Sequence, residues 1–157
     1  MNKMTNVLLG VILLIGLLNL ALTASLAGRQ STVAAESVSG FDNGLARRWG
    51  DRVTNLYNRG DHAGLYTLFN QQAKVKISGD QLESQLEKLR QLFGDIEESA
   101  FQNSMKLGEK GGEQYYQLHY SLRVTGKEGP ATMRLSLVVD GDQISLYGLT
   151  INATESL

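Results

Sequence analysis

At 157 residues, with 42% hydrophobic and 20% charged side chains, the chain is ordinary globular material of single-domain size once its uneven start is set aside. A formal net charge of -1, with Lys and Arg scattered among Asp and Glu, supplies no field to concentrate DNA, RNA or anionic lipid, and no nucleic-acid partner is expected. The absence of cysteine excludes a disulfide scaffold, a thiolate metal site, a cysteine nucleophile and a thioether-linked lipid anchor.

Residues 1–6 are a short polar lead with one charge, Lys3, and residues 7–27 follow without any charge. About 20 apolar residues cross a bilayer core as a helix, so this run is expected to enter a membrane. Two readings stand: a retained signal anchor, and a cleaved leader with Ser25 and Ala27 at the -3 and -1 places before Gly28. Either sends the remainder across the membrane, giving a single-pass inner-membrane protein with an extracytoplasmic domain or a secreted, periplasmic one. The division expected is a leader over 1–28, a flexible small-residue linker over 29–40, a folded domain over 41–152 and a tail over 153–157.

Within the domain, Leu45, Trp49, Val53, Leu56 and Tyr57 recur at helical spacing. Gly60 is placed to end this helix, and Asp61 to cap a shorter second one carrying Leu65, Leu68 and Phe69. Residues 74–78 (KVKIS) alternate apolar and lysine positions and read as a short edge strand. Asp80 with Glu83 reads as a capping box, and Leu82, Leu86, Leu89, Leu92 and Phe93 as the apolar stripe of a third helix ended by Gly94. Phe101, Met105 and Leu107 are expected on one face of a strand over about 98–107.

From Tyr116 the alternation is regular, with Tyr116, Leu118, Tyr120, Leu122 and Val124 on one side and Tyr115, Gln117, His119, Ser121 and Arg123 on the other. After the reversal at 125–130, Met133, Leu135, Leu137 and Val139 alternate with Arg134, Ser136 and Val138. Asp140-Gly141 then predicts a type I′ hairpin in which Leu137 meets Ile144 and Leu135 meets Leu146. The class expected is α+β: after the membrane or signal helix, three helices pack on a curved antiparallel sheet of about four strands, with a short edge strand in addition.

The order of elements, with Trp49, Leu56-Tyr57-Asn58-x-Gly60-Asp61, Leu65-Tyr66-x-Leu68-Phe69, the 81–92 helix closed by Phe93-Gly94-x-Ile96, Tyr115-Tyr116-x-Leu118-x-Tyr120 and Asp140-Gly141-x-Gln143-Ile144, resembles the nuclear transport factor 2-like superfamily. More narrowly, it resembles small exported bacterial domains of that cystatin-like α+β cone. The likeness covers roughly 41–151 and rests on packing and turn motifs, so it bears on fold more than on chemistry. It implies helices filling the hollow of a curved sheet. Catalytic members place a general base and a Tyr or acid partner inside that hollow. In relatives the outer sheet face often forms a dimer, and the periplasmic inner-membrane component of type IV secretion uses such a domain as an assembly part.

Candidate sites follow from both lines. Trp49, Tyr57, Tyr66, Leu86, Phe101 and Tyr120 are candidates to line an apolar pocket for a small ligand. No acid is expected to face inward, since Asp51, Glu83, Glu87, Asp95, Glu97 and Glu98 fall on polar faces or at caps, and the reading favoured is non-catalytic, with no catalytic residue assigned. Tyr115, Gln117, His119, Arg123, Arg134, Val138, Tyr147 and Leu149 are candidates for an interaction patch on the outer face, serving a homodimer or an envelope protein partner. His62 and His119 stand far apart without a HExxH spacing, and Asp140 and Asp142 lack further oxygen ligands, so neither a metal nor a cofactor is expected. Asn152-Ala153-Thr154 is a glycosylation sequon for a host that modifies it.

Overall fold

The structure, a computed structural model, describes residues 41–153; the apolar run 7–27, the linker and the tail beyond Ala153 lie outside the described residues. Among the described residues no helix is long and apolar enough to cross a membrane. Four helices, α1 Asn43–Arg59, α2 His62–Thr67, α3 Gln71–Lys76 and α4 Gly79–Phe93, precede four strands, β1 Ile96–Lys110, β2 Glu113–Val124, β3 Ala131–Asp140 and β4 Gln143–Ala153. The strands form one open antiparallel sheet in chain order. The α+β class is as expected, with one helix more.

The helix ends are set by local chemistry. Asp42 accepts the Leu45 N–H at 2.6 Å and starts α1. Gly60 ends it at φ 65, where only glycine is unstrained, and the Gly60 and Asp61 N–H groups close back on Tyr57 and Leu56 carbonyls at 3.0 Å each. Asp61 then caps α2 through Gly64 N–H at 2.8 Å, so the Asn58-Arg59-Gly60-Asp61 corner forms as expected.

The edge strand expected at 74–78 does not form: residues 74–76 are the end of α3, Ile77 is its C-cap and Ser78 caps α4. Asn70 caps the start of α3 by accepting the Ala73 N–H at 2.8 Å. Ala73 and Ile77, four apart, are buried, while Val75 is 82% exposed. Two apolar residues among lysines cannot distinguish a period of two from one of four, and the Asn70 cap decides it. Pairing at the β4 edge falls to the preceding residues: Leu146 donates to the Leu68 carbonyl at 2.7 Å and accepts from Asn70 N–H at 2.8 Å, giving a parallel bridge at Phe69.

The capping box of α4 is Ser78 with Gln81, not Asp80 with Glu83: Gln81 N–H donates to Ser78 Oγ at 3.2 Å, and Ser78 N–H donates to Gln81 Oε1 at 3.0 Å. The helix therefore starts earlier, with Asp80 in its first turn beside the positive end of the dipole. Leu82, Leu86, Leu89 and Phe93 are buried as expected, whereas Leu92 lies off the stripe at 44% exposure.

The inner sheet face meets the helices. On it Ile96 pairs with Val124, Ser99 with Leu122, Phe101 with Tyr120 and Ser104 with Leu118. An irregularity between Phe101 and Asn103 changes the parity of β1, so Met105 pairs with Gln117 on the outer face instead of sharing a face with Phe101. Met105 and Leu107 are 49% and 47% exposed.

The β3–β4 hairpin also differs from expectation. Asp140 pairs with Gln143 and the turn residues are Gly141 and Asp142; only Gly141 has a positive φ, of 57, the pattern of a type II′ turn rather than I′. Val139 thus meets Ile144 and Leu137 meets Leu146. Both registers put the same side chains on the same face, so the apolar pattern could not choose between them. A bulge at Tyr147 then brings Leu135 opposite Leu149 and Met133 opposite Ile151.

Candidate functional site

The six pocket candidates come together on the inner side, in or against the helix–sheet core. Trp49, Tyr57, Leu86 and Tyr120 are buried in one core with the sheet's inner face, and Tyr66 and Phe101 pack against that core. Tyr120 is wedged between α1 and β1: a Cβ at Gly50 would collide with its ring, and Phe101 meets it edge-on with centroids 5.7 Å apart.

The hydroxyls of the three tyrosines are all engaged with backbone. Tyr120 donates to the Ala46 carbonyl at 2.7 Å, Tyr57 to Gly94 at 3.1 Å and Tyr66 to Ile77 at 3.2 Å. Burial pushes the Tyr120 hydroxyl well above the ordinary phenol range and, against the opposing pull of Arg90, raises Tyr57 to about 12. Both remain protonated donors at neutral pH, suited to holding carbonyls.

The eight outer-face candidates separate into groups. Leu149 turns inward, paired with Leu135 after the bulge, and is a core residue. Val138 and Tyr147 are buried, because α3 folds over this end of the sheet: Lys76 Nζ lies 3.2 Å from Tyr147 Oη, and Gln72 donates to Glu113 at 3.4 Å. Tyr115 belongs to the same patch, edge-on to Tyr147 at 6.0 Å and donating to Glu113 at 2.6 Å. That hydrogen bond to a carboxylate is the main cause of a phenol pKa raised to about 12.

Gln117, His119, Arg123 and Arg134 stay on the outer surface. Register places Asn103, His119, Arg134 and Thr150 in one row across all four strands, with Ala100, Ser121, Thr132 and Asn152 in the next. A shallow depression lies here, lined by Gln102, Asn103, His119, Ser121, Thr132 and Arg134. Gln102, displaced at the β1 irregularity, leans in and donates to Ser121 Oγ at 2.9 Å. Partial burial, and secondarily the Arg134 charge, lower the His119 pKa below its ordinary 6.5. Arg123 is paired with Glu97 at 3.1 Å and Glu98 at 3.0 Å. Arg134 has no carboxylate within 4.0 Å among the described residues; its neighbour is Asn152, whose amide oxygen, once the side chain is turned to satisfy both ends, accepts from it at 3.2 Å.

A third constellation lies away from both faces of the sheet. His62, Glu83 and Glu87 converge across α2 and α4 with ligand atoms within 4.8 Å of one another. Reading histidine-to-histidine spacing overlooks it; the available signal is the Glu83/Glu87 pair, four apart and therefore on one helix face. No family model matches the chain, and no curated protein is similar to it.

Proposed function

We propose that this protein is a non-catalytic binding and assembly module of the bacterial cell envelope, exported or held at the membrane by residues 7–27, that works through the middle of its outer sheet face. The nuclear transport factor 2-like resemblance belongs to the same reading. The observation that carries it is the contrast between the two faces. The inner face is packed against helices, with Tyr120 and the helix residues Tyr57 and Tyr66 bonding their hydroxyls to backbone carbonyls. Among the described residues no element covers the outer face around His119 and Arg134, while α3 covers the neighbouring Val138–Tyr147 end. An arginine with no carboxylate partner among the described residues, ringed by amide and hydroxyl groups, suits an acidic or polar protein surface, because a partner carboxylate finds a bidentate donor there.

The test is a photo-crosslinking residue placed at Gln117 or Thr132 of the full chain in its host, with the exposed Lys88 of α4 as control. Adducts with a second copy or one envelope protein from the sheet positions alone, lost in Arg134→Glu, are expected. Equal labelling from Lys88, or none from the sheet, would exclude this face as the working surface.

A further inference from the structure

His62 is the first residue of α2, fixed there by the Asp61 cap, and Glu83 and Glu87 project from one face of α4. The His62 side chain is only 17% exposed, so packing sets its position, whereas Glu83 at 54% has room to adjust. The separation of His62 Nδ1 from Glu83 Oε1 is 3.6 Å. That is longer than the ~2.7–3.2 Å of an ordinary hydrogen bond. Two ligands bound at about 2.1 Å to one tetrahedral ion stand about 3.4 Å apart, close to the spacing found. The two carboxylates repel each other along the helix, and among the described residues neither has a Lys or Arg within 4.0 Å. A dication would relieve that repulsion and engage all three groups at once.

We propose that His62, Glu83 and Glu87 form a divalent-metal site that ties the start of α2 to the middle of α4. One imidazole with two carboxylates suits a zinc-like first-row ion better than calcium or magnesium, which prefer oxygen ligands throughout. Three protein ligands leave a fourth position for water. The site lies apart from the outer sheet face and does not depend on what that face binds.

The experiment is calorimetric titration of the full chain, in detergent and without a purification tag, with zinc chloride, repeated with cobalt(II) to follow its visible absorption. One ion per chain is expected, with affinity falling at least tenfold in Glu87→Gln and in His62→Gln and unchanged in His119→Gln. Glu87 is exposed and the substitution is isosteric, so the fold survives in that variant even if His62→Gln perturbs the helix contact. No uptake up to millimolar zinc, uptake indifferent to both substitutions, or uptake that follows His119 would overturn the site. A plain His62–Glu83 contact that takes no metal gives the first of these results.

Discussion

Asn58 shows how much of this architecture rests on single polar side chains. It sits in the last turn of α1, yet its amide donates to the Ile96 carbonyl at 2.8 Å and accepts the Ile96 N–H at 2.9 Å, acting as a one-residue strand partner where β1 begins. Beside it, Tyr57 holds the Gly94 carbonyl. The α1 terminus thus positions the first sheet residue after α4. Asn58→Ala leaves both partly buried Ile96 groups unpaired and should cost about 1–3 kcal/mol per group in denaturant unfolding. Asn58→Asp keeps an acceptor for the Ile96 N–H but, when ionised, sets a second carboxylate oxygen against the Ile96 carbonyl, so it should not restore the stability lost in Asn58→Ala. The second prediction at this scale concerns His119. Its folded pKa lies below the 6.5 of an unfolded histidine, so the unfolded chain takes up the proton first as pH falls, and stability supplied above that range is lost on acidification through it. Ring-proton NMR should place the midpoint below 6.5, and Arg134→Ala should raise it only in part, because burial is the larger cause.

Among the elements, α3 separates pattern from outcome most clearly. In a strand Val75 and Ile77 would share a face; with Val75 in α3 and Ile77 as its C-cap they do not, and one is 82% exposed while the other is 5% exposed. Val75→Ala should therefore leave stability within about 0.5 kcal/mol, whereas Ile77→Ala should cost about 2–5 kcal/mol. Equal effects at both positions would return the segment to a strand. Longer periodic stretches were legible: α1, α4, β2 and β3 follow their apolar spacing, and the Gly60-Asp61 corner follows from local turn chemistry. Short or degenerate signals were not. Ser78-Gln81 competed with Asp80-Glu83 for one cap, and two hairpin registers buried the same side chains. Displacements of single residues near Gln102 and at Tyr147 left no mark in the alternation, yet they moved Met105 out of the inner face and Leu149 into it. The candidate sites were affected through these same displacements and through α3, which withdrew Val138 and Tyr147 from the outer surface. Gln117, His119, Arg123 and Arg134, which lie on regular stretches, stayed where the alternation put them.

For the molecule as a whole, the division of labour between faces depends on the inner space being occupied by the protein's own side chains. Tyr120 is the most informative side chain for this, since it is 1% exposed, rests against Gly50 and Phe101, and bonds to the Ala46 carbonyl. If the interior is packed at ordinary density, an apolar probe such as benzene finds no room in the wild-type chain, and truncating this ring creates the room. Tyr120→Ala should then cost about 3–5 kcal/mol, which a domain of ordinary stability, about 5–15 kcal/mol, survives. The variant should also be restabilised by benzene, because a ligand that binds only the folded state raises the unfolding midpoint, while the wild-type midpoint should not move. Tyr120→Phe keeps the ring and loses only the Ala46 bond, so it should be destabilised by about 1–3 kcal/mol and show no benzene response. Thermal unfolding of the three chains with and without benzene distinguishes the cases: a wild-type response would mean that the helices and sheet enclose a ready-made ligand space, and the working surface would then have to be sought inside the fold.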